Sequence, residues 1–180
     1  MPNILLVSAT KLEHHDTHLF GHPIHIVGVG KVLSALNVYK LIQKYKPEHI
    51  INFGSCGNLK NYKVGEVLNV GEVYDDFYGC VVPEHKSIKL ADTSTKLFTT
   101  DTFYDAGSHY SNHYTNMASR CDLVDMEGYS IAKVCKDENI SVSLYKWISD
   151  DGESGKWQAN AAIGYNNFKK VFKEWLEQQK

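Results

Sequence analysis

Residues 24–57 read IHIVGVGKVLSALNVYKLIQKYKPEHIINFGSCG, and this stretch decides the fold class. Residues 24–27 form a short β-rich run, which predicts a strand. Apolar side chains then recur at helical spacing over residues 31–46, and Pro47 predicts where the helix ends. The run HIINF at residues 49–53 predicts a second, buried strand. A strand, a crossover helix and a strand in this order indicate a parallel sheet.

A glycine-rich segment follows each of these two strands. The sequence GVG at residues 28–30 and the sequence GSCG at residues 54–57 predict turns. Glycines there would let backbone amides approach an anion or a ribose. Neither segment is specific as a motif, because GVGK lacks the rest of a dinucleotide fingerprint and is not a Walker loop.

The strength of the pattern varies along the rest of the chain. β-Rich runs predict further strands at residues 4–7, 67–70, 123–126 and 142–149. Helical spacing predicts a helix from about residue 127 and another over residues 165–175. Residues 75–120 are polar and turn-rich, and the pattern predicts no element there. A chain of 180 residues suits one core rather than two, so we predict a single α/β domain over residues 1–180.

Composition excludes several classes of partner. The formal charge is -2 with acids and bases interspersed, so nucleic acid is not an expected partner. No apolar run reaches about 18 residues and no leader pattern is present, which predicts a soluble cytoplasmic protein without a membrane partner. The four cysteines are widely spaced, as expected of reduced thiols; they are Cys56, Cys80, Cys121 and Cys135.

Acidic residues follow three of the predicted strands. Glu13 comes shortly after the first strand, Glu127 opens a helix, and Asp150 directly follows the last strand. Ligands of open α/β sheets bind beyond the carboxyl ends of the strands, so these acids are expected to converge. Cleavage of a glycosidic bond needs one protonated carboxyl group for the leaving group and one ionised carboxylate to activate water. Two of these acids would suffice for that chemistry.

Each acid also has a structural interpretation, which pattern alone leaves open. Glu127 could favour a helix N-terminus through the helix dipole, and Asp150 could be a cap or turn residue. Glu13, in a polar stretch, could be a solvated charge.

A cluster of histidines precedes the strand at residues 24–27. His14 and His18 have the i, i+4 spacing of metal ligands on a helix, but no cysteine or paired acid accompanies them at a ligand spacing. The segment also has the character of a loop. We therefore expect neither a metal nor a cofactor.

Six short motifs occur in a fixed order along the chain. They are GVGKV at 28–32, INFGSCG at 51–57, VGEV at 64–67, TDTF at 100–103, DMEG at 125–128 and ISD at 148–150. Together they resemble the nucleoside phosphorylase and nucleosidase superfamily, and the most similar branches are 5′-methylthioadenosine/S-adenosylhomocysteine nucleosidase and futalosine hydrolase. The resemblance implies a three-layer α/β/α domain with a mixed, largely parallel central sheet.

The resemblance also implies roles for particular residues. Asp150 would protonate N7 of the departing purine, and burial would favour that proton. Glu13 would activate the attacking water. Glu127 would hold the ribose hydroxyl groups, Met126 would pack against the sugar, and Phe103 would stack on the base. The other predicted substrate-binding residues are Ser55, Cys56, Gly57 and Asp125.

The expected nucleophile is water rather than phosphate. A phosphate dianion needs guanidinium groups or an equivalent clamp. Phosphorylases of this superfamily carry arginines after the first strand and before the GSCG segment. This chain has none at either place, the second being Asn52, and its sole arginine is Arg120. The sequence therefore favours hydrolysis of a purine nucleoside.

Two other functions stay open, a phosphorylase that binds phosphate through lysines and a nucleoside-binding protein without turnover. Residues 155–163 are similar to the tail of futalosine hydrolases, which leaves the 5′ substituent of the nucleoside open. Superfamily members are usually dimers or hexamers in which a neighbour closes the 5′ pocket. The resemblance therefore implies at least a homodimer.

Overall fold

The computed structural model describes residues 3–76, 87–104, 112–151 and 154–179. Its strands are β1 Ile4–Ser8, β2 His18–Leu19, β3 His22–Ile26, β4 His49–Asn58, β5 Val67–Asn69, β6 Glu72–Asp75, β7 Ile88–Lys89, β8 Lys96–Thr99, β9 Leu123–Asp125 and β10 Ser141–Asp150. Its α-helices are α1 Lys31–Tyr45, α2 Asn112–Arg120, α3 Gly128–Asp137, α4 Ser154–Asn160 and α5 Tyr165–Gln178. A short 3-10 helix, Lys11–Glu13, follows β1.

All these strands belong to one mixed sheet centred on β4. The strand order is β2-β3-β1-β4-β9-β8-β6-β7, and β10 pairs with both β4 and β5. β4 pairs in parallel with β1 and, along nearly its whole length, with β10. Its end pairs antiparallel with β9. The α/β class and the mixed sheet that the sequence predicts are confirmed.

Side chains that alternate along β1 fill cores on both faces of the sheet, as the period of two in a strand requires. Leu5 and Val7 pack with residues of α1 and α3 on one face. Ile4 and Leu6 pack with aromatic residues of α5 on the other, where Phe168 stacks on Phe53 of β4. Helices thus cover both faces, which gives the predicted three layers.

The prediction of a turn at residues 54–57 is wrong. β4 continues through them to Asn58, because β10 pairs with it as far as Gly57. Gly54 instead allows the Glu13 carboxylate to lie close to the backbone of β4, since a Cβ at this position would lie 2.6 Å from Glu13 Oε1. The other glycine segment does turn, with φ of 91° at Gly28 and 90° at Gly30.

The pattern also left several elements unpredicted. β7, β8 and α2 lie within the polar region that yielded no assignment, β6 lies just before it, and α4 lies between two predicted elements. Across the described residues, no helix has the length and apolar character needed to cross a membrane.

Candidate active site

A cavity of about 290 Å³ lies where β1, β4, β9 and β10 end. The residues that line it are Ala9, Thr10, Glu13, Val29, Ser55, Cys56, Gly57, Thr100, Phe103, Tyr104, Val124, Asp125, Met126, Glu127, Asp150 and Trp157. All the catalytic and substrate-binding residues predicted from the sequence are among them. The structure therefore brings together side chains that lie as much as 137 positions apart, from Glu13 to Asp150.

Glu13 is held by a cage of donors rather than solvated, with only 3% of its surface exposed. Its Oε2 accepts hydrogen bonds from Ser8 Oγ at 2.7 Å, Ala9 N at 3.1 Å and Thr10 N at 3.3 Å. Its Oε1 accepts from Ser55 N at 2.8 Å and Ser55 Oγ at 2.9 Å. An ionised carboxylate only accepts hydrogen bonds, so this cage suits the charged form.

Asp150 is aimed at the cavity by an irregularity at the end of β10. The register of β10 against β4 shifts between Ile148 and Asp150, and bulges of this kind re-aim side chains beside active sites. Asp150 is 3% exposed, and Ser149 Oγ donates to its Oδ2 at 2.7 Å. It is thus buried, as the proposed acid requires, and sits at a strand end rather than at a helix cap.

The side chain of Glu127 links the N-terminal ends of α1 and α3 at the cavity. It is the N-cap residue of α3 but makes no side-chain bond to that helix; its Oε1 instead accepts from Gly30 N, at the start of α1, at 3.0 Å. Burial raises the pKa of Glu127 to about 8, and the charges of Asp125 and Glu13 add to the rise, which Lys146 partly offsets. Glu127 therefore holds a proton over much of the neutral pH range.

Asp125, which lines the cavity, forms a buried ion pair with Lys146. Lys146 Nζ lies 2.8 Å from Asp125 Oδ2, and both side chains are almost entirely buried. Asp125 also accepts from Thr99 Oγ1 at 2.6 Å and from Gly128 N at 2.9 Å. Burial disfavours the charge on Lys146, but the surrounding acids outweigh it and raise the pKa of the lysine. Direct contact between Asp125 and a substrate stays a prediction.

The segment from Ser55 to Gly57 forms the floor of the cavity. Burial raises the pKa of the Cys56 thiol well above its usual range. Cys56 is therefore a neutral lining residue of the cavity rather than a nucleophile. A Cβ at Gly57 would lie 2.8 Å from Val124 Cγ1 and 3.7 Å from Asp150 Oδ1, so the glycine leaves room beside the acid.

Aromatic and apolar side chains form the rest of the wall. Phe103 and Met126, both half-buried, line the cavity where the sequence predicts contacts with base and sugar. Trp157 of α4 was not predicted: its ring meets Phe103 edge to face at 6.4 Å, and its Nε1 donates to Ser55 Oγ at 2.9 Å. No sequence pattern signals this contact, because Trp157 and Ser55 are 102 residues apart.

The described residues that line the cavity include acids but no lysine or arginine. Arg120 is exposed at the end of α2. No group of three or more histidine, cysteine and acidic side chains is arranged to hold a metal ion in the part of the chain that the structure describes. His14 packs between Phe53 and Tyr165.

The fold and this cavity define an α/β protein with a carboxylate-lined site for a small molecule. Residues 15–96 match the family model of the phosphorylase superfamily. A 5′-methylthioadenosine/S-adenosylhomocysteine nucleosidase of Buchnera aphidicola subsp. Baizongia pistaciae is 33% identical over 177 residues, covering 82% of this chain and 68% of its own length. The chain belongs to the superfamily of nucleoside phosphorylases and nucleosidases.

Two solved structures share the fold. Futalosine hydrolase of Helicobacter pylori superposes with a TM-score of 0.80 at 16% identity, over 97% of each chain. The 5′-methylthioadenosine/S-adenosylhomocysteine nucleosidase of Colwellia psychrerythraea, in complex with adenine, superposes with a TM-score of 0.77 at 18% identity, over 90% of this chain and 89% of its own.

Proposed function

We propose that this protein hydrolyses the N-glycosidic bond of a purine nucleoside and releases the free base. The observation that carries the proposal is a single cavity that combines buried Glu13, Glu127 and Asp150 with an aromatic wall. Bond cleavage through an oxocarbenium-like transition state needs an acid for the leaving group and a base for water. The named function of the 33% identical relative supports the same chemistry.

In this reaction Asp150 is the general acid and Glu13 the general base. Asp150 donates a proton to the departing purine, which leaves as a neutral base. Glu13 takes a proton from the attacking water, and the five donors around its carboxylate keep its orientation fixed. A water deprotonated as it attacks C1′ completes the cleavage.

Glu127, Met126 and Phe103 position the nucleoside. Glu127 binds the 2′ and 3′ hydroxyl groups of the ribose, Met126 packs against the sugar, and Phe103 stacks on the base. Ser55, Cys56 and Gly57 line the side from which the nucleophile approaches. Phe103 and Asp150 line the same cavity, as stacking on the base and proton donation to it both require.

The charge of the cavity supports water as the nucleophile. The described lining residues include Glu13, Glu127 and Asp150 and no basic side chain. A phosphate dianion would be repelled by Glu13 and would lack the guanidinium or ammonium groups that normally bind it. Lys146, the nearby buried cation, is already paired with Asp125.

Release of free base from a panel of nucleosides tests the proposal. The purified protein is incubated with 5′-methylthioadenosine, S-adenosylhomocysteine, futalosine, adenosine or inosine, and the base is separated by chromatography. We expect a free purine base from at least one 5′-substituted nucleoside, and the panel identifies the 5′ substituent. If no base appears from any of them, the proposal fails.

We further propose a cytoplasmic homodimer. An exposed apolar strip on and before α1 supports the dimer; it consists of Val29, Val32, Leu33, Leu36 and Tyr39. Val29 also lines the cavity, so a second copy seated on this strip would lie at the cavity mouth. The buried free thiols Cys56, Cys121 and Cys135 suit a reducing compartment, whereas Cys80 lies outside the described residues.

A further inference from the structure

Trp157 contacts the proposed catalytic machinery although it takes no part in the proposed reaction. Its indole Nε1 donates to Ser55 Oγ at 2.9 Å, and Ser55 Oγ donates in turn to Glu13 Oε1 at 2.9 Å. Trp157, Ser55 and Glu13, from three separate segments of the polypeptide, are thus linked by a continuous hydrogen-bond relay. The relay ends on Glu13, the proposed general base.

Trp157 fixes the direction in which these hydrogen bonds are donated. An indole N–H can only donate, whereas a serine hydroxyl has one proton and two lone pairs. With Trp157 donating into one lone pair of Ser55, the serine proton is free to point at Glu13. Without the indole, the hydroxyl could rotate and donate elsewhere, so the tryptophan selects the rotamer that serves the glutamate.

The helix that carries Trp157 is fastened to β10, the strand that ends at Asp150. Asn160 Nδ2, at the end of α4, donates to the Ser149 carbonyl oxygen at 2.9 Å. Trp147 Nε1 of β10 donates to the Ala161 carbonyl oxygen at 2.8 Å. The indole is therefore presented to Ser55 from the same segment that presents the proposed general acid.

We propose that Trp157 is a positioning residue that acts through Ser55 to orient Glu13 towards the attacking water. This inference rests on the proposed function. The donation from Ser55 fixes one carboxylate oxygen of Glu13, and the segment from β10 to α4 thereby sets the geometry of both the acid and the base. Binding of the nucleoside depends on it less, since the aromatic edge contact with Phe103 does not require the N–H.

Trp157→Phe distinguishes the role of the indole N–H from that of the aromatic ring, because phenylalanine keeps a ring and loses the N–H. We expect kcat to fall about threefold to tenfold, the effect of one hydrogen bond, with KM nearly unchanged. Trp175→Phe is the matched control, since Trp175 of α5 packs on Phe172, away from the cavity; its kcat should equal that of the wild type.

A double-mutant cycle tests whether the effect passes through Ser55. Ser55→Ala removes the hydroxyl group that links Trp157 to Glu13. Adding Trp157→Phe to this variant should therefore lower kcat no further. A wild-type kcat for Trp157→Phe, or a loss that adds fully to that of Ser55→Ala, would overturn the proposal.

A readout without turnover separates this inference from the proposed function. The protein has three tryptophans, and the indole N–H signal that disappears in Trp157→Phe identifies Trp157 in an ¹H–¹⁵N spectrum. Ser55→Ala should move that signal and leave the Trp175 signal in place. An unmoved signal refutes the hydrogen-bond chain even if base release is normal. If the wild type releases no base while the signal moves, the proposed function fails, and with it the catalytic role of Trp157.

Discussion

Asp150 and Glu13 are both buried, yet the protein holds them differently. Glu13 accepts five hydrogen bonds from backbone and hydroxyl donors, whereas Asp150 is bonded by its neighbour Ser149 at a bulged strand end. Thr10 and Glu13 form a capping box at the short 3-10 helix, which was not predicted from the sequence. The remaining donors come from Ser8, Ala9 and Ser55, and Ser55 reaches Glu13 only because the chain folds.

Replacing Asp150 by asparagine tests its role as the acid. Asparagine keeps the shape of the side chain but has no acidic proton, so we expect kcat for base release to fall at least about a hundredfold. Asp137→Asn, at an exposed salt bridge on α3, is the matched control and should keep the wild-type rate. Steady-state kinetics on both variants measure the effect, and a near-normal rate for Asp150→Asn would remove Asp150 from the mechanism.

The raised pKa of Glu127 predicts a specific dependence of stability on pH. The folded state holds a proton on Glu127 up to about pH 8, whereas the unfolded state releases it near pH 4.5, the ordinary pKa of a glutamate side chain. Between these values the folded state binds more protons, so this residue's contribution to the free energy of unfolding falls as the pH rises.

Glu127→Gln removes that titration. We expect the free energy of unfolding of the wild type, relative to the variant, to decline from pH 5 to about pH 8, as measured by urea denaturation at several pH values. Glu177→Gln, an exposed change on α5, should run parallel to the wild type. A constant difference between wild type and Glu127→Gln across this range would show that Glu127 is ionised throughout.

Among the strands and helices, those with strong local patterns were predictable and those defined by tertiary contacts were not. β1, β4 and β10 carry apolar or β-branched runs, and α1 and α5 have clear helical spacing. The short strands β7 and β8 lie in a polar region, and α4 has few apolar residues besides Trp157. Motif order and strand ends led to residues that line the cavity, whereas Trp157 and the buried pair Lys146–Asp125 depend on packing between distant segments.

Because β4 runs through Gly54 directly beside Glu13, a methyl group added at Gly54 should disturb the carboxylate. Gly54→Ala would place a Cβ 2.6 Å from Glu13 Oε1 and 3.0 Å from its Oε2, so the carboxylate must move. We expect base release to fall by about tenfold or more, since small displacements of a catalytic group are costly. Gly155→Ala in α4 meets no atom within 4 Å and is the matched control, with unchanged turnover. Wild-type activity in Gly54→Ala would mean that Glu13 need not be held where it lies.

The proposed homodimer would form through the apolar strip beside the cavity. Val32 is 76% exposed, and Val32, Leu33 and Leu36 lie on one face of α1 at helical spacing. We expect the wild type to sediment as a dimer and the double variant Val32→Asp, Leu36→Asp to sediment as a monomer. Lys170→Asp, an exposed change on α5, should leave the dimer intact. A wild-type monomer, or a dimeric double variant, would place the subunit contact elsewhere or exclude it.

The identity of the nucleophile is the central claim about this protein, and the dependence of cleavage on phosphate tests it most directly. The best nucleoside of the panel is incubated in phosphate-free buffer and in buffer with inorganic phosphate, and base and sugar products are quantified. A cavity with buried acids and no basic side chain among its described lining residues predicts equal rates and a free sugar in both buffers. Base release only with phosphate, accompanied by a sugar 1-phosphate, would contradict the account and make the protein a phosphorylase.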